Sequence, residues 1–152
     1  MKTLIVYYSY TNNTEKVAKR IAELKKYDIL KLEPLVDYST DYQKVVDEEE
    51  AKMDSEEIVE LKPINVDLNQ YDRIILGTPV WWYTMAPVVR SFLSGNNLNG
   101  KKVIAFITNG GWLGHTVNDI KKYCEVESYI NLKFNGDKIQ NEKSLSDWIN
   151  SL

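Results

Sequence analysis

Three short segments concentrate residues that could do chemistry. The first, Ser9-Tyr-Thr-Asn-Asn-Thr14, is a six-residue run rich in Ser, Thr and Asn, set between an apolar run and an amphipathic helical pattern. At a helix N-terminus several backbone N–H groups lack intrahelical partners, and the helix dipole adds partial positive charge. A phosphate dianion can therefore be held there without Lys or Arg. Each charge-assisted hydrogen bond contributes about 1.5–3 kcal/mol. An ordinary helix start needs only one such cap, so a whole run of them points to an anion. The run contains no G-x-G-x-x-G and no terminal Gly-Lys-Ser/Thr. That excludes the dinucleotide fingerprint and the Walker A loop and leaves a mononucleotide as the better fit.

The second segment, Pro79-Val-Trp-Trp-Tyr-Thr-Met-Ala86, places three large rings in succession. Adjacent residues cannot all face one core, so at least one of Trp81, Trp82 and Tyr83 is expected at or near the surface. There a flat partner to stack on would add about 0.5–1.5 kcal/mol beyond burial. The competing expectation is packing beneath neighbouring loops or at a dimer contact. The third segment, Asn109-Gly-Gly-Trp-Leu-Gly-His115, can bring bare backbone amides against the carbonyl edge of a planar heterocycle. It also carries the only histidine, His115, which could protonate a small acceptor but reads more simply as a surface or capping residue.

The elements that must position these segments are legible as strands and helices in alternation. Apolar runs at Thr3 to Tyr8, Tyr27 to Leu32, Arg73 to Thr78, Val103 to Thr108 and Ser128 to Phe134 read as five strands. Three of them are continuously apolar, as in strands covered on both faces by helices. Helix patterns follow, with Val17, Ile21 and Leu24 as the first apolar stripe and a second helix opening at Pro87. A third begins with a capping-box-like Thr116-Val-Asn-Asp119, and a last starts near Ser144. The expected fold is α/β, with three layers, an open five-stranded parallel sheet and helices on both faces. In such a sheet ligands bind beyond the carboxyl ends of the strands, where the three unusual segments lie.

The polar stretch from Pro34 to Pro63, with its acidic runs Asp47 to Glu50 and Asp54 to Glu57, reads as a solvated helix with connections. Tyr42, Val45, Val46, Ala51 and Met53 are its expected partial anchors. An acidic docking surface is the rival expectation. Cys124, on the apolar side of a predicted helix, is expected in the core.

Composition limits the possibilities further. The chain has 152 residues, a net charge of −3, and 43% hydrophobic residues. It reads as one domain, residues 1–152, with a sizeable core. Nineteen Lys and Arg against 22 Asp and Glu give no basic field for nucleic acid. No apolar run approaches the roughly 20 residues of a spanning helix, and no leader with a cleavage region is expected before the first strand. A single cysteine cannot form an internal disulfide, so a cytoplasmic setting is expected.

The stretches Tyr7-Tyr-Ser-Tyr-Thr-Asn-Asn-Thr-Glu-Lys-Val17, Gly77-Thr-Pro-Val-Trp-Trp82 and Thr108-Asn-Gly-Gly111 together resemble the flavodoxin and flavodoxin-like family, short-chain type. The resemblance implies strand order 2-1-3-4-5 with FMN at the switch point, an arrangement known for flavodoxin itself. It implies that Ser9, Thr11, Asn13 and Thr14 hold the phosphate, assisted by the amides of Tyr10 and Asn12. Pro79, Val80, Trp81, Trp82 and Tyr83, with Thr108, Asn109, Gly110 and Gly111, would border the isoalloxazine, with Trp81 or Trp82 stacking on it. The chain departs from the family at two places. Asn12 stands where the family usually has Gly, and Asn tolerates a left-handed backbone. Tyr83 stands where relatives with a Trp-Trp pair often have Gly. The implied activity is electron carriage between redox partner proteins, by a monomer or weak homodimer. The two ring-facing segments contain no Asp or Glu to lower the flavin potential, and that keeps an FMN-dependent NAD(P)H:quinone oxidoreductase as the alternative.

Overall fold

The computed structural model describes residues 1–53 and 55–152. In chain order the strands are β1 (Thr3–Tyr7), β2 (Asp28–Lys31), β3 (Arg73–Trp81), β4 (Thr84–Met85), β5 (Lys102–Asn109), β6 (Ser128–Asn135) and β7 (Lys138–Ile139). The helices are α1 (Asn13–Lys25), α2 (Tyr42–Ala51), α3 (Pro87–Gly95), α4 (Thr116–Ile120) and α5 (Glu142–Ser151).

All five residues of β1 are buried, because an interior strand of a parallel sheet is covered on both faces. The two-residue repeat of the strand divides them. Leu4 and Val6 join Ile74, Leu76, Val88, Phe92 and Ile120 in the layer beneath α3 and α4. Ile5 and Tyr7 join Val17, Ile21, Ile75, Phe106, Leu145 and Ile149 in the layer beneath α1 and α5. The two cores follow directly from helices lying on opposite faces of the sheet. No helix of the described residues is long and apolar enough to cross a membrane.

The parallel strands run β2-β1-β3-β5-β6, which is the 2-1-3-4-5 order implied by the resemblance. The sheet is larger than the five strands expected. Two short antiparallel strands are added: β4 folds back on β3, pairing Val80 with Met85 and Trp81 with Thr84, and β7 folds back on β6. Strand β3 also runs three residues beyond the expected Thr78, so Pro79, Val80 and Trp81 belong to a strand rather than a loop. The β3–β4 turn is Trp82-Tyr83, with φ of 47° and 72°, the two left-handed central residues of a type I′ hairpin.

Three helix expectations shift. Leu24 is 61% exposed, so the apolar stripe of α1 ends at Ile21. The capping box at Thr116 does not form: His115 occupies the N-cap position, and the Thr116 hydroxyl donates to Leu113 O at 2.8 Å. Helix α5 starts at Glu142, two residues ahead of Ser144, where an ion pair between Glu142 and Arg20 ties it to α1. The polar stretch contains α2, capped by the Asp41 carboxylate, which accepts from Lys44 N at 3.3 Å. Of its expected anchors only Val45 is buried and Val46 half-buried, whereas Tyr42, Ala51 and Met53 are exposed. The anchor that sequence did not reveal is a carboxylic acid, Glu49. Asp54, in the second acidic run, lies outside the described residues.

Candidate functional site

The first segment leads from β1 into α1 as expected. Asn12 is the N-cap and has φ of 72°, the left-handed conformation that a family glycine would adopt and that Asn tolerates better than other side chains. Its side chain makes no cap hydrogen bond. Ser9 Oγ accepts from Glu15 N at 3.1 Å, and Lys16 N donates to Asn12 O at 3.0 Å. The amides of Asn12, Asn13 and Thr14 precede the first intrahelical bond and point out of the helix end. Thr14 is buried and shares a 2.7 Å hydrogen bond with the Thr108 hydroxyl, which locks the helix start to β5. Asn13 Nδ2 donates to Gly136 O at 2.9 Å, whereas Asn13 Oδ1 is buried with no donor among the described residues.

The second segment distributes its rings as adjacency requires. Tyr83 is 40% exposed and faces the exposed indole of Trp112, ring centroids 5.0 Å apart. Trp81 lies among Tyr8, Tyr10 and Tyr38, with centroids 5.7, 5.8 and 5.0 Å away. Trp82 turns toward α2, its indole N–H donating to Val46 O at 2.9 Å. Tyr10 reaches across to the Ser39 carbonyl and stacks on Tyr42. The third segment supports this turn: His115 N donates to Tyr83 O at 2.8 Å, and Gly114 packs directly beneath Tyr83. Asn109 Oδ1 accepts from Gly111 N at 2.9 Å, which shapes the Gly110-Gly111 turn.

A cavity of about 450 Å³ unites the three segments. Tyr10, Thr11 and Asn13 line one part, Pro79, Val80 and Trp81 another, and Thr108, Asn109 and Gly110 a third. Ser9, Asn12, Thr14, Trp82, Tyr83 and Gly111 are not among its lining residues. Ser9, Asn12 and Thr14 flank it in the chain. Trp82 and Tyr83, with Trp112, line an adjoining aromatic cavity of about 310 Å³ instead. Two contributors escaped the sequence reading. One is the β6–β7 hairpin, whose Phe134, Gly136 and Asp137 close the cavity on the side of Asn13. Its signal is the turn dipeptide Gly136-Asp137. The other is α2, which brings Tyr42, Val45 and Glu49 over the aromatic cavity.

The two ring-facing segments contain no Asp or Glu, but α2 brings the Glu49 carboxyl to the aromatic cavity from a remote part of the sequence. Burial pushes this carboxyl up to about 7, and a hydrogen bond and like charge from Glu57 add to the effect. Lys52 Nζ, 3.8 Å from Glu49 and 3.0 Å from Glu57, opposes it only in part. Between the ordinary glutamate range and about 7 the folded protein holds a proton that the unfolded chain has lost. Stability therefore falls as pH rises through that window. Glu49→Gln is expected to remove this slope and to raise stability at pH 8 by about 1–3 kcal/mol. Urea unfolding at pH 5 and pH 8 measures both.

His115 is a positioned surface residue. Its Nδ1 hydrogen-bonds Asp119 Oδ2 at 2.5 Å, and Lys122 lies 3.1 Å from the other carboxylate oxygen. Burial alone would raise the Asp119 carboxyl. Hydrogen bonds from Thr84, His115 and Lys122 outweigh it and hold the carboxyl below its ordinary value. Cys124 is buried, and desolvation pushes its thiol up to about 11, as expected of a core residue.

A comparison with curated proteins finds no match. Among solved structures, a candidate flavoprotein from Bacteroides uniformis is 24% identical, with 98% of this chain and 97% of that one covered and a TM-score of 0.82. A candidate flavoprotein from Bacteroides eggerthii is 23% identical, covering 99% and 96%, with a TM-score of 0.81. A Lactobacillus acidophilus flavoprotein solved in complex with FMN is 23% identical over 97% of each chain, with a TM-score of 0.76. These likenesses establish the fold. The flavodoxin family model matches residues 2–152, and with the strand order and the three converging segments already described, the chain belongs to the flavodoxin family.

Proposed function

We propose that this chain binds FMN non-covalently at the carboxyl ends of β1, β3 and β5 and carries electrons through it between redox partner proteins. The observation that carries the reading is the convergence of the three segments on one 450 Å³ cavity with an unpaired helix N-terminus at its polar end. The residues fit the group. Outward amides from Asn12 to Thr14 and the hydroxyls of Ser9 and Thr11 suit a phosphate. Asn13 Oδ1, a buried acceptor without a donor, suits a sugar-alcohol hydroxyl. Pro79, Val80 and Trp81 offer an apolar wall to a planar ring, and Asn109 and Gly110 a polar backbone edge. The family match and the FMN complex of the Lactobacillus acidophilus relative support the same reading.

Bound FMN would supply the electron-accepting and electron-donating chemistry. The chain's own part is positional and electrostatic. Tyr10, Tyr38 and Trp81 make a rigid aromatic wall, α2 limits water, and Glu49 places a titratable carboxyl beside the aromatic cavity. A carboxylate there disfavours added negative charge, which is the setting of a low-potential carrier. A cytoplasmic location suits the single cysteine.

Trp81→Ala is expected to weaken FMN binding by about tenfold, read by quenching of flavin fluorescence. Absence of FMN uptake by the folded wild-type chain would remove the proposal. An anaerobic reductive titration then tests the role. Steady oxidation of NAD(P)H with a quinone would replace the carrier with an FMN-dependent oxidoreductase, whereas reduction without nucleotide turnover supports the carrier.

A further inference from the structure

A separate cavity of about 250 Å³ lies between the end of α2 and the residues after it, the β3–β4 hairpin, and helices α3 and α4. It shares Trp81, Trp82 and Glu49 with the aromatic cavity but contains no residue of the Ser9–Thr14 segment. Arg90, on α3, lines it and keeps only 7% of its surface exposed.

The Arg90 guanidinium has five donors and is charged at every accessible pH. Among the described residues its one hydrogen bond is a long one, Nη2 to Thr84 Oγ1 at 3.4 Å. No carboxylate among the described residues is within 4.0 Å of it, because the nearby acids are engaged elsewhere. Asp119 takes Lys122, His115 and the Thr84 hydroxyl, and Glu49 and Glu57 share Lys52. A charge removed from water without a partner is among the costliest arrangements in a folded protein. The same cavity holds the complementary defect: Glu57 Oε2 is buried with no donor among the described residues. Trp82, Met85 and Pro87 supply apolar wall beside these polar groups. The volume is below the range of drug-sized ligand sites and suits a small molecule.

We propose that this cavity binds a small carboxylic acid, with its carboxylate on the Arg90 guanidinium and its apolar body against Trp82. A hydrogen-bond donor elsewhere on the ligand would meet Glu57 Oε2. The cavity uses none of the phosphate-binding residues but shares Trp81, Trp82 and Glu49 with the aromatic cavity, so it is tested on the protein without FMN.

Benzoate is the probe, titrated into the full chain without FMN and followed by the indole N–H resonances. The expected result is a saturable shift of the Trp82 signal, with benzamide, which has the same shape and no charge, at least about tenfold weaker. Arg90→Lys keeps the charge but loses the planar fork, and is expected to weaken benzoate by about tenfold. Arg90→Met should abolish the shift, and if that variant does not fold, Arg90→Lys carries the test. No saturable shift, equal response to benzamide, or unchanged affinity in Arg90→Lys would each overturn the proposal.

Discussion

Gly114→Ala is expected to lose at least about 3 kcal/mol of stability, a far larger effect than alanine at any other glycine of the third segment. A β-carbon at Gly114 would lie 2.3 Å from Tyr83 O and 2.8 Å from Tyr83 C and Cα, and the φ of +61° is itself unfavourable for alanine. All three atoms are Tyr83 backbone, so no flexible side chain can yield. The turn at Trp82-Tyr83 is also already strained, with two large residues at positive φ. It stays in place through the His115 N–H bond to Tyr83 O and the Trp82 indole bond to Val46 O. Displacing it would therefore loosen α2 and both aromatic-lined cavities together. Gly110→Ala is the control: nothing lies within 4 Å of its β-carbon, and the expected change is within about 1 kcal/mol. Urea unfolding with tryptophan fluorescence compares the two, and equal midpoints would refute the close packing at Gly114.

Asn12→Asp is expected to act in opposite directions on the protein alone and on its complex with FMN. Asp tolerates the left-handed backbone much as Asn does, so the loop keeps its shape. In the free chain a carboxylate at the start of α1 meets the positive end of the helix dipole and stabilises by about 0.3–1 kcal/mol. With a phosphate dianion on the same amides, two like charges stand a few ångströms apart near the surface, which costs about 2–3 kcal/mol at an intermediate dielectric. FMN affinity should fall by roughly 30- to 150-fold while the melting temperature rises slightly. Riboflavin, which lacks the phosphate, should lose little. Parallel fluorescence titrations with the two flavins decide the matter, since equal weakening would mean that the phosphate is not held at this helix end.

The parallel core of the sheet was legible because LIVYY, RIILGT and VIAFIT have no polar alternation, and only a doubly covered strand tolerates that. The left-handed Asn12 was legible for a chemical reason, since Asn is one of few side chains that accept the backbone a glycine would. The hairpin strands β4 and β7 were not. Two residues are too few to show a period, and Trp82-Tyr83 violates the turn preferences that announce a type I′ hairpin. Helix α2 was legible as a helix but its depth was not. Glu49 falls four residues after Val45 on one face, and charge ordinarily marks the solvent side, whereas here the carboxyl is buried beside a half-buried Glu57 while Lys52 reaches both from the surface. Trp112 was passed over because an exposed indole in a glycine-rich turn carries no periodic signature, and its role appears only once Tyr83 faces it.

The outer margin of β6 bears on how copies of this molecule coexist at high concentration. Asn141 behaves like a peptide unit laid beside that strand: its Oδ1 accepts from Lys133 N at 3.0 Å and its Nδ2 donates to Asn131 O at 2.8 Å. Gln140 N donates to Lys133 O, and β7 pairs with Phe134 and Asn135 just beyond. A neighbouring chain approaching from that flank finds the hydrogen-bonding valences from Asn131 to Asn135 already engaged, which leaves only a short template for ribbon-on-ribbon growth into fibrils. At the opposite flank β2 is four residues long and displays Asp28 and Lys31, which gives an incoming strand little to grip.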